Sequence, residues 1–254
     1  MDKLVFLGTA GDAETVIKQV RGSGGVIMML ADNQFHIDPG PGSLVGCKMA
    51  GVSPRATIAI LATSDHLFTS GDVNAAISAM TYEGIDRHGV LLASKQVIDG
   101  NGGVRLLPKY RRFLEGLMTL TPGARVGVND VTISAVPSRS PDPTAVGLIL
   151  STHELRIGYT GVTGWYEELP DAYKKLDVLI VHCRHPAGTS EEGALNVEEV
   201  TTLLKRAKPK RAFLTGFGAK LLAQDPVHIA RSIQRATKVT VTAAKDGLEV
   251  ALGK

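Results

Sequence analysis

Short runs of apolar and β-branched residues predict four strands in the first quarter of the chain. These strands cover Leu4 to Leu7, Gly25 to Leu30, Phe35 to Ile37 and Ala56 to Leu61. After the third, Asp38-Pro-Gly-Pro-Gly42 predicts a tight turn, because glycine accepts a positive φ and proline fixes its own. Ser43 to Met49 is predicted as a short helix. Asp72 to Glu83 is a clearer helix, with apolar residues at helical spacing.

The rest of the chain repeats this order of strands and then helices. The stretch from Ile98 to Gly123, rich in Gly and Arg, is interpreted as connecting structure. Further strands are predicted at Val126 to Val128, Val131 to Val136, Gly147 to Ser151, Leu155 to Tyr159, Val178 to Val181, Ala212 to Thr215, Val239 to Thr242 and Leu248 to Ala251. Further helices are predicted at Trp165 to Tyr173, Asn196 to Ala207 and Pro226 to Arg235.

Strand-rich blocks that are each followed by helices favour two sheets packed face to face with helices outside. We therefore expect one domain over residues 1–254, made of two similar halves at about 1–125 and 126–254. A chain of 254 residues that is 44% hydrophobic can bury a core of that size.

Composition and the lengths of apolar runs indicate where in the cell the protein is expected to be. No apolar run approaches the ~18 residues that a membrane-spanning helix needs, and the N-terminus lacks the layout of a signal peptide. Two cysteines, Cys47 and Cys183, provide no disulfide framework and fit a reducing compartment. We expect a cytoplasmic protein without a membrane partner.

Charge gives little reason to expect nucleic-acid binding. The net charge is +3, and one basic cluster occurs where a predicted helix ends: Lys205, Arg206, Lys208, Lys210 and Arg211. Cations complement the dipole at a helix C-terminus, and no aromatic platform for base stacking accompanies these charges. The cluster is interpreted as structural.

Several longer segments carry a resemblance to a known family. They are Phe6-Leu-Gly-Thr9, Gly24-Gly25, Ile37-Asp-Pro-Gly-Pro-Gly42, Asp142-Pro-Thr-Ala-Val-Gly147, Ile157-Gly-Tyr-Thr-Gly-Val-Thr163, Lys208-Pro-Lys210, Leu214-Thr-Gly-Phe-Gly218 and Lys245-Asp-Gly-Leu-Glu249. In this order and spacing, the chain resembles metallo-β-lactamase-fold proteins, especially the small prokaryotic hydrolases of that superfamily. The resemblance implies an α/β (α+β) fold, a four-layer αβ/βα sandwich with two mixed β-sheets.

This chain departs from the family's sequence pattern at the positions of the metal ligands. Family members carry His-x-His-x-Asp-His at a strand-to-helix corner, which here corresponds to Ile60-Leu-Ala-Thr-Ser-Asp-His66. Asp65 and His66 match, whereas Leu61 and Thr63 replace the two preceding histidines. Leucine has no lone pair for a metal, and a threonine hydroxyl is a poor zinc donor.

The other ligand loops have changed as well. Ser140 stands where a histidine usually precedes the Pro-Asp-Pro segment, and Val162 stands where the bridging aspartate belongs. Gly216 replaces the histidine before Phe217, and Ala194 replaces a further histidine. Since a catalytic zinc needs about three protein ligands, we expect no zinc cofactor and a zinc-free, degenerate site. The former ligand positions would then line a more neutral pocket.

Two rebuilt sites remain as alternatives. His182-Cys183-Arg184-His185 follows a predicted apolar strand and, with Asp65 and His66, could form a mononuclear site for zinc or another divalent metal. His66 oriented by Asp65 could instead perform metal-free acid–base chemistry. Ordinary polar residues at a strand end are the simpler interpretation of the His182 cluster.

The predicted function follows from the altered site. The leading interpretation is a non-hydrolytic ligand-binding or accessory protein, with a small molecule or a protein as its partner and self-association left open. The alternatives are a hydrolase rebuilt around Asp65, His66 and His182, and a protein-interaction module in a larger complex.

Overall fold

The computed structural model describes residues 1–253, which form two compact units. The first unit contains residues 1–9, residues 21–121 and the C-terminal segment from Lys245. The second contains residues 10–20 and 122–244. Each unit has its own seven-stranded sheet.

The sheet of the first unit has the strand order β14-β1-β2-β3-β4-β5-β6. Its first three pairings are antiparallel, and the pairings from β3 to β6 are parallel. The carboxyl ends of β3 to β6 therefore lie at one edge. The strands are β1 (Lys3–Phe6), β2 (Val26–Leu30), β3 (Asn33–Ile37), β4 (Thr57–Ala62), β5 (Val90–Ala93), β6 (Gly116–Thr119) and β14 (Leu248–Ala251).

Short helices connect these strands. They are α2 (Ser43–Met49), α3 (Leu67–Ser70), α4 (Val73–Met80), α5 (Lys95–Asp99) and α6 (Pro108–Arg111), with one 3₁₀ turn at Pro54–Ala56. Val73, Ile77 and Met80 of α4 are buried in a cluster that includes Ile60 of β4 and Leu91 of β5. This packing fixes the segment between β4 and α4.

The sheet of the second unit has the order β13-β12-β11-β10-β9-β8-β7. From β7 to β10 the pairings are antiparallel, and from β10 to β13 they are parallel. Both sheets thus have three antiparallel pairings followed by three parallel ones. The strands are β7 (Arg125–Val128), β8 (Val131–Pro137), β9 (Val146–Ser151), β10 (Arg156–Tyr159), β11 (Val178–His182), β12 (Arg211–Thr215) and β13 (Thr240–Ala243).

Two longer helices cover part of this sheet. Asn196 begins α8 with a reciprocal capping box to Glu199, and Asp225 caps α10, which has Pro226 in its first turn. The helices of this unit are α1 (Ala13–Ile17), α7 (Leu169–Ala172), α8 (Val197–Ala207), α9 (Ala219–Leu222) and α10 (Pro226–Thr237). Leu203, Leu204 and Ile233 pack with the strands in one core cluster.

The expected α/β class with two mixed sheets and helices is confirmed. Two local predictions were wrong. The first is the connecting stretch, which contains the end of α5 and all of α6 and β6. Strand β5, which precedes it, was not predicted. The edge strand β6 exposes Leu117 and Met118, so its sequence lacks a buried pattern and only pairing with β5 defines it.

The second is the helix predicted from Trp165 to Tyr173, which is reduced to α7. Pro170 lies in the first turn of α7 and has no N–H to donate to a carbonyl of an earlier turn, so the helix cannot extend through it toward Trp165. No helix among residues 1–253 combines the length and apolar character needed to cross a bilayer.

Candidate functional site

In the first unit, the ends of β3 and β4 meet at Asp38 and Thr63. The Thr63 amide donates to one carboxylate oxygen of Asp38 at 2.7 Å, and the Thr63 hydroxyl donates to the other at 2.7 Å. Both residues are 1% exposed. Because a buried carboxylate needs such donors, Thr63 is occupied in stabilising Asp38.

Two further hydrogen bonds of Asp38 extend this network. The Asp38 amide donates to the Leu61 carbonyl at 2.7 Å, and the Ser70 hydroxyl reaches the Asp38 carboxylate at 3.4 Å. The Leu61 side chain is fully buried in the sheet. The two replaced histidine positions of this corner therefore have structural roles.

Asp65 and His66 follow on the segment that leads into α3. The chain at Gly102 passes so close that a Cβ there would overlap an Asp65 carboxylate oxygen. His66 is the N-cap residue of α3 but makes no capping hydrogen bond with its side chain, and its Nδ1 lies 3.2 Å from the Thr69 hydroxyl. Both residues are half-buried, so this corner keeps two polar side chains at a partly accessible place.

Ser64, which precedes them, is 1% exposed, and its hydroxyl has no hydrogen-bond partner among residues 1–253. An unsatisfied buried hydroxyl is uncommon, since burial without a partner costs about 1–3 kcal/mol. The Ser64 hydroxyl therefore lowers the stability of this corner, and it is too deeply buried for a bound molecule to reach.

His36, two residues before Asp38, is buried in the same unit. Burial lowers its pKa from 6.5 to about 4, although its Nε2 lies 3.0 Å from the Gly24 carbonyl. It is neutral near pH 7 and acts as a structural side chain of β3.

In the second unit, the carboxyl ends of β10, β11 and β12 bring Tyr159 and His182 together. The Tyr159 hydroxyl lies 2.9 Å from His182 Nε2, and the two rings meet edge-on with centroids 5.3 Å apart. Tyr159 is 1% exposed, whereas His182 is half-buried. The imidazole therefore reaches further toward solvent than the phenol does.

Gly216, at the end of β12, lies directly against this imidazole. A Cβ at position 216 would be 2.6 Å from His182 Nδ1 and 2.7 Å from its Cγ. The backbone at Gly216 has φ +64°, which also favours glycine. The His182 ring occupies the space that any side chain at position 216 would need.

The other members of the His182 cluster do not converge on it. Cys183 is fully buried in the hydrophobic core, and burial, with a smaller effect from Glu199, raises its thiol pKa to about 12. His185 lies 2.9 Å from a carboxylate oxygen of Glu191; burial lowers its pKa despite that acid. Within each unit, the described residues contain no group of three His, Cys, Asp or Glu side chains suited to a metal ion.

Among the positions that the resemblance aligns with metal ligands, the second unit offers no strong metal donor at Val162, Ser140 or Gly216. Val162 is 5% exposed, and its carbonyl accepts from the Ser138 hydroxyl at 3.0 Å. Ser140 is half-buried on the segment between β8 and β9 that also contains Ser138. Neither these side chains nor Gly216 fit the ligand set of a dinuclear zinc centre.

Sequence reasoning missed two residues of these sites. Asp38 was interpreted only as part of a turn, and Tyr159 only as the last residue of a strand. The position of each residue was the signal that could have revealed it. Asp38 directly follows β3, and Tyr159 is the last residue of β10. Each of these strands lies parallel to a neighbouring strand that ends at a candidate residue.

Comparison with known proteins identifies the fold family. A model of the beta-lactamase superfamily domain matches residues 33–217, which is more than half of the chain. The uncharacterized protein MJ1374 of Methanocaldococcus jannaschii is 28% identical over 98% of this chain and 95% of its own length.

Solved structures agree on the fold. The metallo-β-lactamase-fold protein YhfI of Bacillus subtilis superposes with a TM-score of 0.80 at 16% identity, over 98% of both chains. Zn²⁺-bound PqqB of Methylobacterium extorquens gives a TM-score of 0.74 at 13% identity, over 98% of this chain and 100% of its own. By its matched residues and its two mixed sheets, the chain belongs to the metallo-β-lactamase superfamily.

Proposed function

We propose that this protein works without the dinuclear zinc centre of its superfamily and serves as a binding or accessory protein for a small organic ligand. The observation that carries the proposal is that Thr63 is hydrogen-bonded to Asp38. Its amide and its hydroxyl both bind the buried Asp38 carboxylate, so a former metal-ligand position now stabilises the fold.

The second unit supports the same proposal independently. Val162 is apolar, and Gly216 has no side chain, so neither position can replace the charged ligands of a zinc pair. A metal-bridged hydroxide, which would attack a substrate in the usual hydrolase, has no corresponding ligand set in either unit among residues 1–253.

An organic ligand fits the altered chemistry better than a metal complex does. Apolar positions provide contact area, and a few polar groups fix orientation, which is the usual composition of small-molecule sites. In the first unit the accessible polar groups of this corner are the half-buried Asp65 and His66. The two free cysteines, Cys47 and Cys183, are both buried and accord with a cytoplasmic protein.

The test is the metal content of the purified native protein, measured by elemental mass spectrometry beside His66→Ala and His182→Ala. We expect zinc, iron and manganese far below one ion per chain in all three proteins. We also expect the melting temperature to be unchanged by EDTA, because a bound structural metal would stabilise the folded state by mass action.

Near-stoichiometric metal that disappears in either variant would overturn the proposal and favour the rebuilt mononuclear hydrolase. If no metal is found, a thermal-shift screen with uncharged and acidic metabolites tests the ligand. A stable complex with a second copy or another protein, with no metabolite shift, would favour the interaction-module alternative.

A further inference from the structure

Residues 101–103 form an exposed segment between two buried parts of the first unit. The residues that flank it are buried in one core cluster; they are Val97, Ile98, Val104 and Leu106. Asn101, Gly102 and Gly103 are all exposed. The segment therefore has fixed ends and an accessible centre with the sequence Asn-Gly-Gly.

An asparagine that is followed by glycine has a specific reactivity. The backbone nitrogen of the glycine can attack the side-chain carbonyl carbon of the asparagine and close a five-membered imide ring. Reaction requires the two atoms to approach to about 3–3.5 Å in a suitable orientation. Glycine favours that approach, because it has no Cβ to obstruct the nitrogen and its backbone is unusually permissive. An aspartate followed by glycine closes the same ring with loss of water.

The sequence contains three pairs of this kind, which are Asp99-Gly100, Asn101-Gly102 and Asp246-Gly247. The structure holds the first pair in place. The Gly100 amide donates to the Gln96 carbonyl at 2.9 Å, and the Asp99 carboxylate forms an ion pair with Arg111 at 2.6 Å. Both groups that would react are thus engaged with other partners.

The pair at Asp246 and Gly247 is held in the same way. The Asp246 carboxylate accepts from the Thr9 hydroxyl at 2.7 Å and from the Gly22 amide at 2.6 Å. The Gly247 amide donates to the Phe6 carbonyl at 2.7 Å. These contacts keep the nitrogen away from the side-chain carbon, so ring closure is disfavoured here as well.

The pair at Asn101 and Gly102 differs from both. Among residues 1–253, neither the Asn101 side chain nor the Gly102 amide takes part in a hydrogen bond. Both residues are exposed, so the side chain and the nitrogen are free to reach the geometry for ring closure. The fold therefore leaves one of the three pairs in a reactive state.

We propose that Asn101 is a site of spontaneous deamidation, and that its isoaspartyl product loosens the corner at Asp65 between β4 and α3. The Gly102 nitrogen bonds to the Asn101 side-chain carbonyl carbon and gives up its proton, and ammonia leaves. Water then opens the ring at one of its two carbonyl carbons and leaves either aspartate or isoaspartate. An amide and water have become a carboxylate and ammonium, and nothing is oxidised or reduced.

The isoaspartyl product lengthens the main chain where there is no room for it. Its main chain passes through the former side-chain carbon, so one extra carbon is inserted directly before Gly102. A Cβ at Gly102 would lie 1.6 Å from Asp65 Oδ2, and a Cβ at Gly103 would lie 2.9 Å from the Asp65 carbonyl oxygen. The segment already touches Asp65, and a longer chain must move away from it or displace it.

The first measurement follows the modification in the full-length protein during storage at mildly alkaline pH. Trypsin releases residues 96–105 as one peptide, in which mass spectrometry detects deamidation and fragmentation distinguishes isoaspartate from aspartate. Asn129 is the internal control, because it is exposed in the turn between β7 and β8 but is followed by Asp130. We expect Asn101 to be converted at least about 10-fold faster than Asn129. Equal rates at the two positions would overturn the proposal.

The second measurement compares hydrogen exchange of the amides of residues 64–67 in fresh and aged wild-type protein. Asn101→Asp is the matched control, since it carries the new carboxylate without the extra backbone carbon. Aged Asn101→Gln controls for other damage, because its longer side chain would have to close a six-membered ring. Thermal melting confirms that each variant is folded.

We expect exchange at this corner to become at least about 3-fold faster in aged wild-type protein and to stay unchanged in the two variants. Unchanged exchange in aged protein that contains isoaspartate would overturn the link to Asp65. Equal acceleration in Asn101→Asp would show that charge, not chain length, is responsible, and would also overturn it. Neither measurement involves a metal or a ligand, so the proposed zinc-free function stands or falls separately.

Discussion

The two units differ in the contacts made at the positions that the family resemblance assigns to metal ligands. In the first, Thr63 joins a closed hydrogen-bond network around the buried Asp38, and Leu61 is part of the core. In the second, Gly216 leaves space, and the half-buried His182 fills it with its ring held by Tyr159.

The difference shows that equal losses in sequence have unequal chemical consequences. A threonine that binds a buried carboxylate adds stability and has no donor left for a ligand. A glycine beside a histidine allows a new imidazole to take up a defined position. At these positions the first unit thus has a closed hydrogen-bond network, whereas the second has a half-buried imidazole in a defined place.

The largest effect expected from a test of this comparison is that of Gly216→Ala. The new Cβ would overlap the His182 ring, and alanine would be held at φ +64°, so the free energy of unfolding should fall by about 4 kcal/mol. Urea denaturation measures the change.

Gly188→Ala is the matched control, because Gly188 has φ +75° in the same unit but no atom within 4 Å of the place where a Cβ would lie. It should cost about 1–2 kcal/mol from backbone strain alone. Equal losses in the two variants would show that contact with His182 contributes nothing.

The second test concerns the pH dependence of the first unit. The folded state depresses the pKa of His36 from 6.5 to about 4 by burial, so the unfolded chain takes up a proton first as the pH falls. Stability should therefore decline from pH 6.5 to about 4, by about 3 kcal/mol over that whole window. Urea titrations at several pH values measure it.

His36→Gln removes the titrating group, and its stability should fall less steeply over the same pH window than that of the wild type. His228→Gln, on the exposed face of α10, should keep the wild-type slope. Parallel slopes for His36→Gln and the wild type would show that His36 takes up its proton equally in the folded and the unfolded chain.

The smallest effect is expected from Thr63→Val. Valine keeps the shape of threonine but removes the 2.7 Å hydrogen bond to the Asp38 carboxylate, which should cost about 2 kcal/mol. The exposed Thr202→Val should change stability by less than about 0.5 kcal/mol. If urea denaturation gives the same free energy of unfolding for both variants, the hydrogen bonds at Asp38 do not stabilise this corner.

Much of the fold could be predicted because its signals are local. Alternating and apolar runs predicted strands at or near β1, β2, β8, β9, β11 and β12, and the helix predicted from Asn196 to Ala207 corresponds to α8. The edge strand β6 has no such signal, since its Leu117 and Met118 face solvent. The helix expected from Trp165 to Tyr173 did not account for Pro170.

The sequence by itself determined the fold family, because the identity of residues at a conspicuous spacing is a local property. Only the tertiary structure decided which contacts residues such as Thr63 and His182 make. Asp38 lies 25 residues before Thr63, and Tyr159 lies 23 residues before His182. Parallel strands place the ends of such distant segments side by side, and that register is set by the packing of the whole sheet.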